Sequence, residues 1–280
     1  MVDILYGTAW KQDETERLVR RAIEAGFRGI DTACQPKHYN EAGVGAGVAA
    51  SLSARLTRAQ LYLQTKFTPI SGQEARRIPY DAQAPLAEQV TQSAAASLSN
   101  LRTEYLDCLL LHSPLDDAGH TADVWRAMEA LVDAGSVRQI GISNCYRLSQ
   151  LKSLCDLARI PPSVLQNRFH ADTGYDVEVR EFCRARHIVY QSFWTLTGNP
   201  QLLAHEAVRG LARRHGRTVA QILFRFLTQI GIVPLTGTRS AAHMRQDLAI
   251  FDFELSAPEC ETMNSLLQPS QDRRGQPRPR

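Results

Sequence analysis

Three short β-rich runs in the first half of the chain end on polar residues: Asp31 in GIDTA, Lys66 in LYLQTKF and His112 in LDCLLLHSP. A tyrosine, Tyr39, lies close by in HYNEA. Taken singly, each has a bland reading. A carboxylate after a strand often caps the next turn, a lysine there is usually a solvated charge, and a lone histidine is usually structural. Together they can build a proton donor. A free phenol, with a pKa of about 10, is a poor acid at neutral pH, and a nearby ammonium lowers that value. A general acid works best when its pKa approaches the working pH. The expectation is that Asp31 holds Lys66 charged, Lys66 lowers the pKa of Tyr39, and His112 hydrogen-bonds and orients a carbonyl oxygen. That set suits the reduction of a carbonyl.

These residues need elements that bring them to one place. Strand-like runs are expected at 4–8, 28–33, 61–67, 106–111, 138–143, 164–168, 188–193 and 231–235, and helical patterns at 13–25, 41–56, 85–101, 121–134, 146–158, 177–186 and 218–229. The first helix carries Leu18, Val19, Ala22 and Ile23 on one stripe, with charges opposite and Gly26 at its end. The strands read as continuous apolar runs, as parallel strands buried on both faces do. Alternating β and α units in a chain of 280 residues predict an α/β fold, a (β/α)8 TIM barrel. Its strand C-termini converge on one face, where Asp31, Lys66 and His112 would meet. No linker divides the chain, so one domain is expected over 1–267, followed by a polar, basic tail at 268–280. Two inserts, 68–84 and 194–205, follow the third and seventh strands and would shape a pocket on the same face.

Composition excludes several classes. The chain is 44% hydrophobic, enough for a large core, and its formal charge of +3 does not argue for nucleic acid or membrane binding. Six cysteines are scattered without CxxC pairs, as expected of reduced, buried thiols in a cytoplasmic protein. No signal peptide is read at the N-terminus, and no apolar run approaches the ~20 residues of a membrane span. The dispersed histidines, without an HExxH, give no metal site. Gly45-Ala46-Gly47 fits the start of a GxGxxA pattern, but KHYNEA precedes it instead of a strand, so close helix packing is the expectation.

The ordered segments GTAW, AGFRGIDTA, YNEAGVG, LQTKF, LRTEYLDCLLLHSP, GSVRQIGISN, VLQNRFH, GRTVAQILFRFLTQIGIVPLTGTRS and FDFELS resemble those of the aldo-keto reductases, from Leu5 to about Leu267. The resemblance implies a (β/α)8 barrel and a nicotinamide cofactor held without a Rossmann motif. It also implies a tetrad that falls on Asp31, Tyr39, Lys66 and His112, with hydride passing to the carbonyl carbon and tyrosine protonating the oxygen. By the same resemblance, Ser143, Asn144 and Gln166 contact the carboxamide, and Gly7 and Thr8 lie near the nicotinamide ribose. Gln191, Ser192 and Phe193 occupy the segment that stacks on the nicotinamide. Gly237, Thr238, Arg239 and Ser240 form the loop at the adenosine 2′-phosphate, with His243 and Asp247 on the adenine side. A loop that opens a helix offers N–H groups to phosphate, and arginine grips it bidentately. NADPH is therefore the expected cofactor, with NADH the alternative, and the substrate a small carbonyl compound or cyclic imine. Trp10, His38, Tyr80, Phe169 and Trp194 would line the substrate pocket.

The chain departs from the family pattern in four places. CQPKH separates Ala33 from Tyr39, so an ungapped match on NE puts His38 at the tyrosine position; the need for a phenol favours Tyr39. Gln191 stands where the stacking aromatic is usual. The phosphate loop reads Pro234-Leu235-Thr236 without the common lysine, which leaves Arg239 to set any NADPH preference. Almost nothing precedes the first strand, so the hairpin that plugs the barrel floor is expected to be missing, and a monomer or homodimer is the expected state. The rival reading is a cofactor-binding regulatory subunit with little turnover.

Overall fold

The computed structural model describes residues 2–267. Eight parallel strands close into a barrel in chain order: β1 (Leu5–Gly7), β2 (Gly29–Asp31), β3 (Tyr62–Phe67), β4 (Cys108–Leu111), β5 (Ile140–Ser143), β6 (Val164–Arg168), β7 (Val189–Phe193) and β8 (Ile232–Thr236), with β8 pairing back onto β1. Around it lie α1 (Thr15–Ala25), α2 (Glu41–Ser51), α3 (Leu86–Leu101), α4 (Ala118–Asp133), α5 (Leu148–Leu157), α6 (Val177–Ala185), α7 (Pro200–Ala204), α8 (Glu206–His215), α9 (Val219–Gln229), α10 (Ala241–Leu248) and α11 (Ala257–Leu266). This is the (β/α)8 architecture, and each strand falls on its expected segment. The basic tail, 268–280, lies outside the described residues.

Several segments differ from the sequence expectation, among them α11, to which no helical pattern was assigned. Residues 206–215, unassigned in the sequence, form α8. The insert 194–205 contains a short helix, α7, with Pro200 in its first turn. The helix expected over 41–56 stops at Ser51: the Ser51 hydroxyl donates back to the Gly47 carbonyl, and Leu52 turns extended. β1 is the first strand among the described residues, with no hairpin before it. Val2 packs over Gly29 instead, where a Cβ would lie 2.8 Å from Val2 Cγ2.

The strand period of two sorts side chains between the barrel lumen and the helix layer. On β3, Leu63 and Phe67 face the main core, and Tyr62, Gln64 and Lys66 face the lumen. Cys108, Leu110 and Val164 form a small apolar cluster apart from that core, with Tyr62 and Val189 packed against it. Outside the barrel, α1 buries Leu18, Val19, Ala22 and Ile23, and it ends at Gly26 with φ 121°. Burial of each large aliphatic is worth about 1.5–3 kcal/mol.

The glycines of α2 are packing residues. A Cβ at Gly45 would meet the Asn100 carbonyl oxygen at 2.1 Å, and one at Gly47 the Glu16 carbonyl oxygen at 2.8 Å. The GxGxxA match therefore reflects helices approaching closely, α1 on one side and α3 on the other. Because the obstacle at Gly45 is backbone, Gly45→Ala is expected to cost about 3 kcal/mol or more in urea unfolding. Gly210→Ala in α8, where only side-chain ends of Arg214 and Arg213 come near, should instead stabilise by about 0.5–1 kcal/mol.

Candidate active site

At the C-terminal end of β2 and β3, Asp31 and Lys66 form an ion pair that is almost wholly buried. Lys66 Nζ donates to Asp31 Oδ1 and Oδ2 and to the Thr32 carbonyl oxygen, each at 2.8 Å. An ammonium has three protons, so these contacts use its full donor capacity. Two glutamines complete the carboxylate's partners. Gln64 and Gln166 both donate to Asp31 Oδ1, at 2.7 and 2.9 Å. Gln191 joins them: its Oε1 accepts from Gln64 at 2.8 Å and from Gln166 at 2.9 Å, and its Nε2 returns a bond to Gln64 Oε1 at 3.0 Å. A layer of amides thus spans the lumen beneath the ion pair. Gln64 was not singled out in the sequence, although the period-two spacing of Tyr62, Gln64 and Lys66 carried the signal.

The loop after β2 decides which aromatic enters the site. Gln35 organises it: its carbonyl oxygen accepts from His38 N and Tyr39 N, its side-chain amide donates to Gly72 O, and its Oε1 faces His38 Nδ1 at 2.9 Å. The His38 ring stacks on Trp10, with ring centres 3.9 Å apart, and Trp10 N donates to His38 O. Tyr39 instead lies between the other candidates. Lys66 Nζ is 5.5 Å from its ring centre, and His112 meets it edge-on at 6.1 Å.

The electrostatics overturn one expectation. Burial, followed by the Asp31 charge, pushes the Tyr39 phenol up, not down. Lys66 sits over the ring face and spends its protons on Asp31 and Thr32. Burial, followed by the Lys66 charge, pushes His112 down to about 3, leaving a neutral imidazole. Its Nδ1 lies 2.6 Å from the Thr68 hydroxyl. Burial also raises the Glu41 carboxyl, which accepts from Thr65, Ser97 and Asn100. That group ties the start of α2 to β3 one residue before Lys66.

The residues expected at the cofactor divide into two groups. At the tetrad end, Asn144, with φ 54°, donates to His112 O and accepts from Tyr146. Ser143 gives its hydroxyl to Gln166 O. Gln191 is turned into the amide layer and not onto the mouth, and buried Ser192 accepts from Thr195. Phe193, one inward position above Gln191, is half-buried. Gly7 ends β1, but both the N–H and the hydroxyl of Thr8 go to Asp31 O, so the Thr8 side chain faces the barrel wall.

At the far end, Gly237, Thr238, Arg239 and Ser240 link β8 to α10, and Ser240 caps that helix through His243 N. The His243 ring lies 3.5 Å from the Thr238 hydroxyl. Asp247 is not presented there. It is buried on the inner side of α10, accepts from Thr236 at 2.7 Å, and burial raises its carboxyl to about 6. A residue missed in the sequence, Lys11, reaches this loop: its buried ammonium donates to Gly237 O and lies 5.7 Å from the Tyr6 ring centre. Burial, followed by the Arg239 charge, lowers Lys11 to about 8.

Of the expected pocket aromatics, Trp10 and Trp194 are 60% and 46% exposed. Arg168 lies over Trp194, 4.3 Å from its centre. Tyr80 and Phe169 are not pocket walls. Tyr80 is buried against Phe67 and gives its hydroxyl to Thr68 O, and Phe169 packs in the core on Tyr175. Both sit among polar residues, where an aromatic's residue type alone does not tell which way it faces.

A closed parallel barrel with this polar set at its strand C-termini defines a (β/α)8 enzyme with its chemistry at that mouth. A family model for the aldo/keto reductase family matches residues 4–268. An aldo-keto reductase of Mycolicibacterium smegmatis is 35% identical over 254 residues, covering 90% of this chain and 82% of that protein. The glyoxal reductase of Bacillus subtilis is 31% identical over 268 residues, covering 95% and 87%. Among solved structures, the aldose reductase of Schistosoma japonicum superposes with a TM-score of 0.80 at 29% identity, covering 97% of this chain and 90% of that one. The chain belongs to the aldo/keto reductase family and is an oxidoreductase.

The buried ion pair gives a direct test. Lys66→Met leaves Asp31 buried without its partner, and should lower stability at pH 7 by about 3–5 kcal/mol in urea unfolding. Adding Asp31→Asn to that variant should recover much of the loss, because the uncompensated charge is gone.

Proposed function

We propose that this chain reduces a small aldehyde or ketone, with Tyr39 as the proton donor and NADPH as the cofactor. The observation that carries the reading is the placement of Tyr39 between Lys66 and His112, while His38 is stacked away on Trp10. When bound, the nicotinamide supplies the hydride. The residues present fit such a molecule: the Ser143 hydroxyl and the Asn144 amide stand at the tetrad end, and two cations, Lys11 and Arg239, stand at the β8–α10 loop. Two cations beside a helix N-terminus suit phosphate.

The chain's own groups then divide the work. With the Thr68 hydroxyl donating to His112 Nδ1, Nε2 holds a proton and can orient the substrate oxygen. Tyr39, kept protonated by burial, gives its proton as negative charge develops on that oxygen. An alkoxide is a far stronger base than a phenolate, so the transfer runs downhill even from a phenol of raised pKa. Asp31 and Lys66 act as a fixed, hydrogen-bonded pair behind the donor, and not as a means of making Tyr39 acidic. Trp10 and Trp194 offer apolar walls to the substrate.

Tyr39→Phe should lower kcat for carbonyl reduction by about 10²-fold or more. It should leave the dissociation constant for NADPH, followed by nicotinamide fluorescence, within about twofold. Unchanged turnover would remove Tyr39 from this role. The rate of reduction should also be flat between about pH 6 and 9. His112 is neutral at any pH above its lowered value of about 3, and Tyr39 loses its proton only above its ordinary range, about 10. A bend near pH 6.5 in the kcat profile would mean that His112 titrates during turnover.

A further inference from the structure

The β8–α10 loop carries an ion pair that the cofactor reading does not use. Arg239 Nη1 donates to Glu14 Oε2 at 2.6 Å, and Nη2 donates to the Trp10 carbonyl oxygen, also at 2.6 Å. The two faces of the guanidinium fork are thus spent on the loop after β1, 225 residues earlier in the chain. Glu14 also accepts from Arg17. The segment it holds is not relaxed. Trp10 and Gln12 both adopt positive φ, 62° and 50°, a conformation that costs non-glycine residues free energy. Lys11, between them, donates to Gly237 O in the same loop as Arg239.

Two cations therefore converge on one loop, and the Glu14 carboxylate takes one arm of the guanidinium fork that a phosphate would need. We propose that Glu14 is an internal stand-in for the cofactor phosphate: it occupies Arg239, competes with the adenosine 2′-phosphate, and so limits the preference for NADPH over NADH. This rests on the cofactor reading above and goes beyond it by naming a residue that works against that preference. Anion binding frees the Arg239 fork from Glu14 and Trp10, and thereby uncouples the loop after β1 from the loop after β8. NADH has no 2′-phosphate, demands no such exchange, and is indifferent to Glu14.

The test measures dissociation constants of NADPH and NADH by nicotinamide fluorescence at low ionic strength, for wild type, Glu14→Gln, Arg239→Gln and the double variant. An exposed ion pair is worth a factor of up to about 5 in an equilibrium constant. Glu14→Gln also removes the repulsion between carboxylate and phosphate. The expected result is NADPH binding about fivefold tighter, with NADH within about twofold of wild type and the gain shrinking as salt rises. The gain should vanish in the Arg239→Gln background. Adenosine 2′,5′-bisphosphate should follow NADPH, and adenosine 5′-monophosphate should follow NADH. Unchanged or weaker NADPH binding in Glu14→Gln would overturn the proposal, because Glu14 would then be supporting the site. Equal tightening of both dinucleotides, or a gain that survives without Arg239, would overturn it as a general charge effect. If neither dinucleotide binds the wild-type chain, the cofactor reading itself fails and takes this proposal with it.

Discussion

The ion pair between Asp31 and Lys66 sets the terms for everything at the mouth of the barrel. Two charges withdrawn from water cost several kcal/mol each, and their attraction repays that cost only when every remaining lone pair and proton finds a partner. Here the condition is met by specific contacts. Lys66 has three acceptors, and Asp31 Oδ1 also receives two amide donors, one from the neighbouring strand and one from across the lumen. Those donors come from β3 and β6, and Gln191 on β7 holds both of them. The Gln166 contact requires a closed barrel, because β6 and β2 meet only across the lumen.

This arrangement changes what the lysine can do. An unshared ammonium would acidify a neighbouring phenol. An ammonium whose protons are all directed to a carboxylate and a carbonyl contributes mainly a compensated charge, and burial then governs the phenol. The resulting site holds a protonated tyrosine and a neutral histidine side by side. Both are stable states over the neutral range, which suits a step in which the base is created by the reaction itself.

The mouth is also electrically divided. Near the tetrad the polar groups are amides and hydroxyls already engaged with one another, so a ligand there must exchange hydrogen bonds for equivalent ones. Toward β8 the groups are charged, with Lys11, Arg239, Glu14 and Arg17 gathered around two loops. Hydrogen bonds among neutral groups fix orientation at modest net energy, and charge attraction over a longer range draws an anion in. An elongated ligand with a neutral head and an anionic tail matches that division.

The sequence by itself determined the eight strands, the first helix and its glycine stop, and the convergence of Asp31, Lys66 and His112. These follow from local periodicity and from strand direction, which residue spacing encodes directly. The ordered motifs likewise carried the family. Only the tertiary structure set the placement of the His38 and Tyr39 rings, through a turn pinned by Gln35 and a stacking partner on the loop after β1. It also decided where polar groups that look free in the sequence are spent: Thr8 on a neighbouring strand, Asp247 behind β8, and Gln191 in the amide layer. Tyr80 and Phe169 went to packing for the same reason. A hydrogen bond depends on where the partner's atom lies, and for residues such as Arg239 and Glu14 that partner is supplied from the other end of the chain by barrel closure.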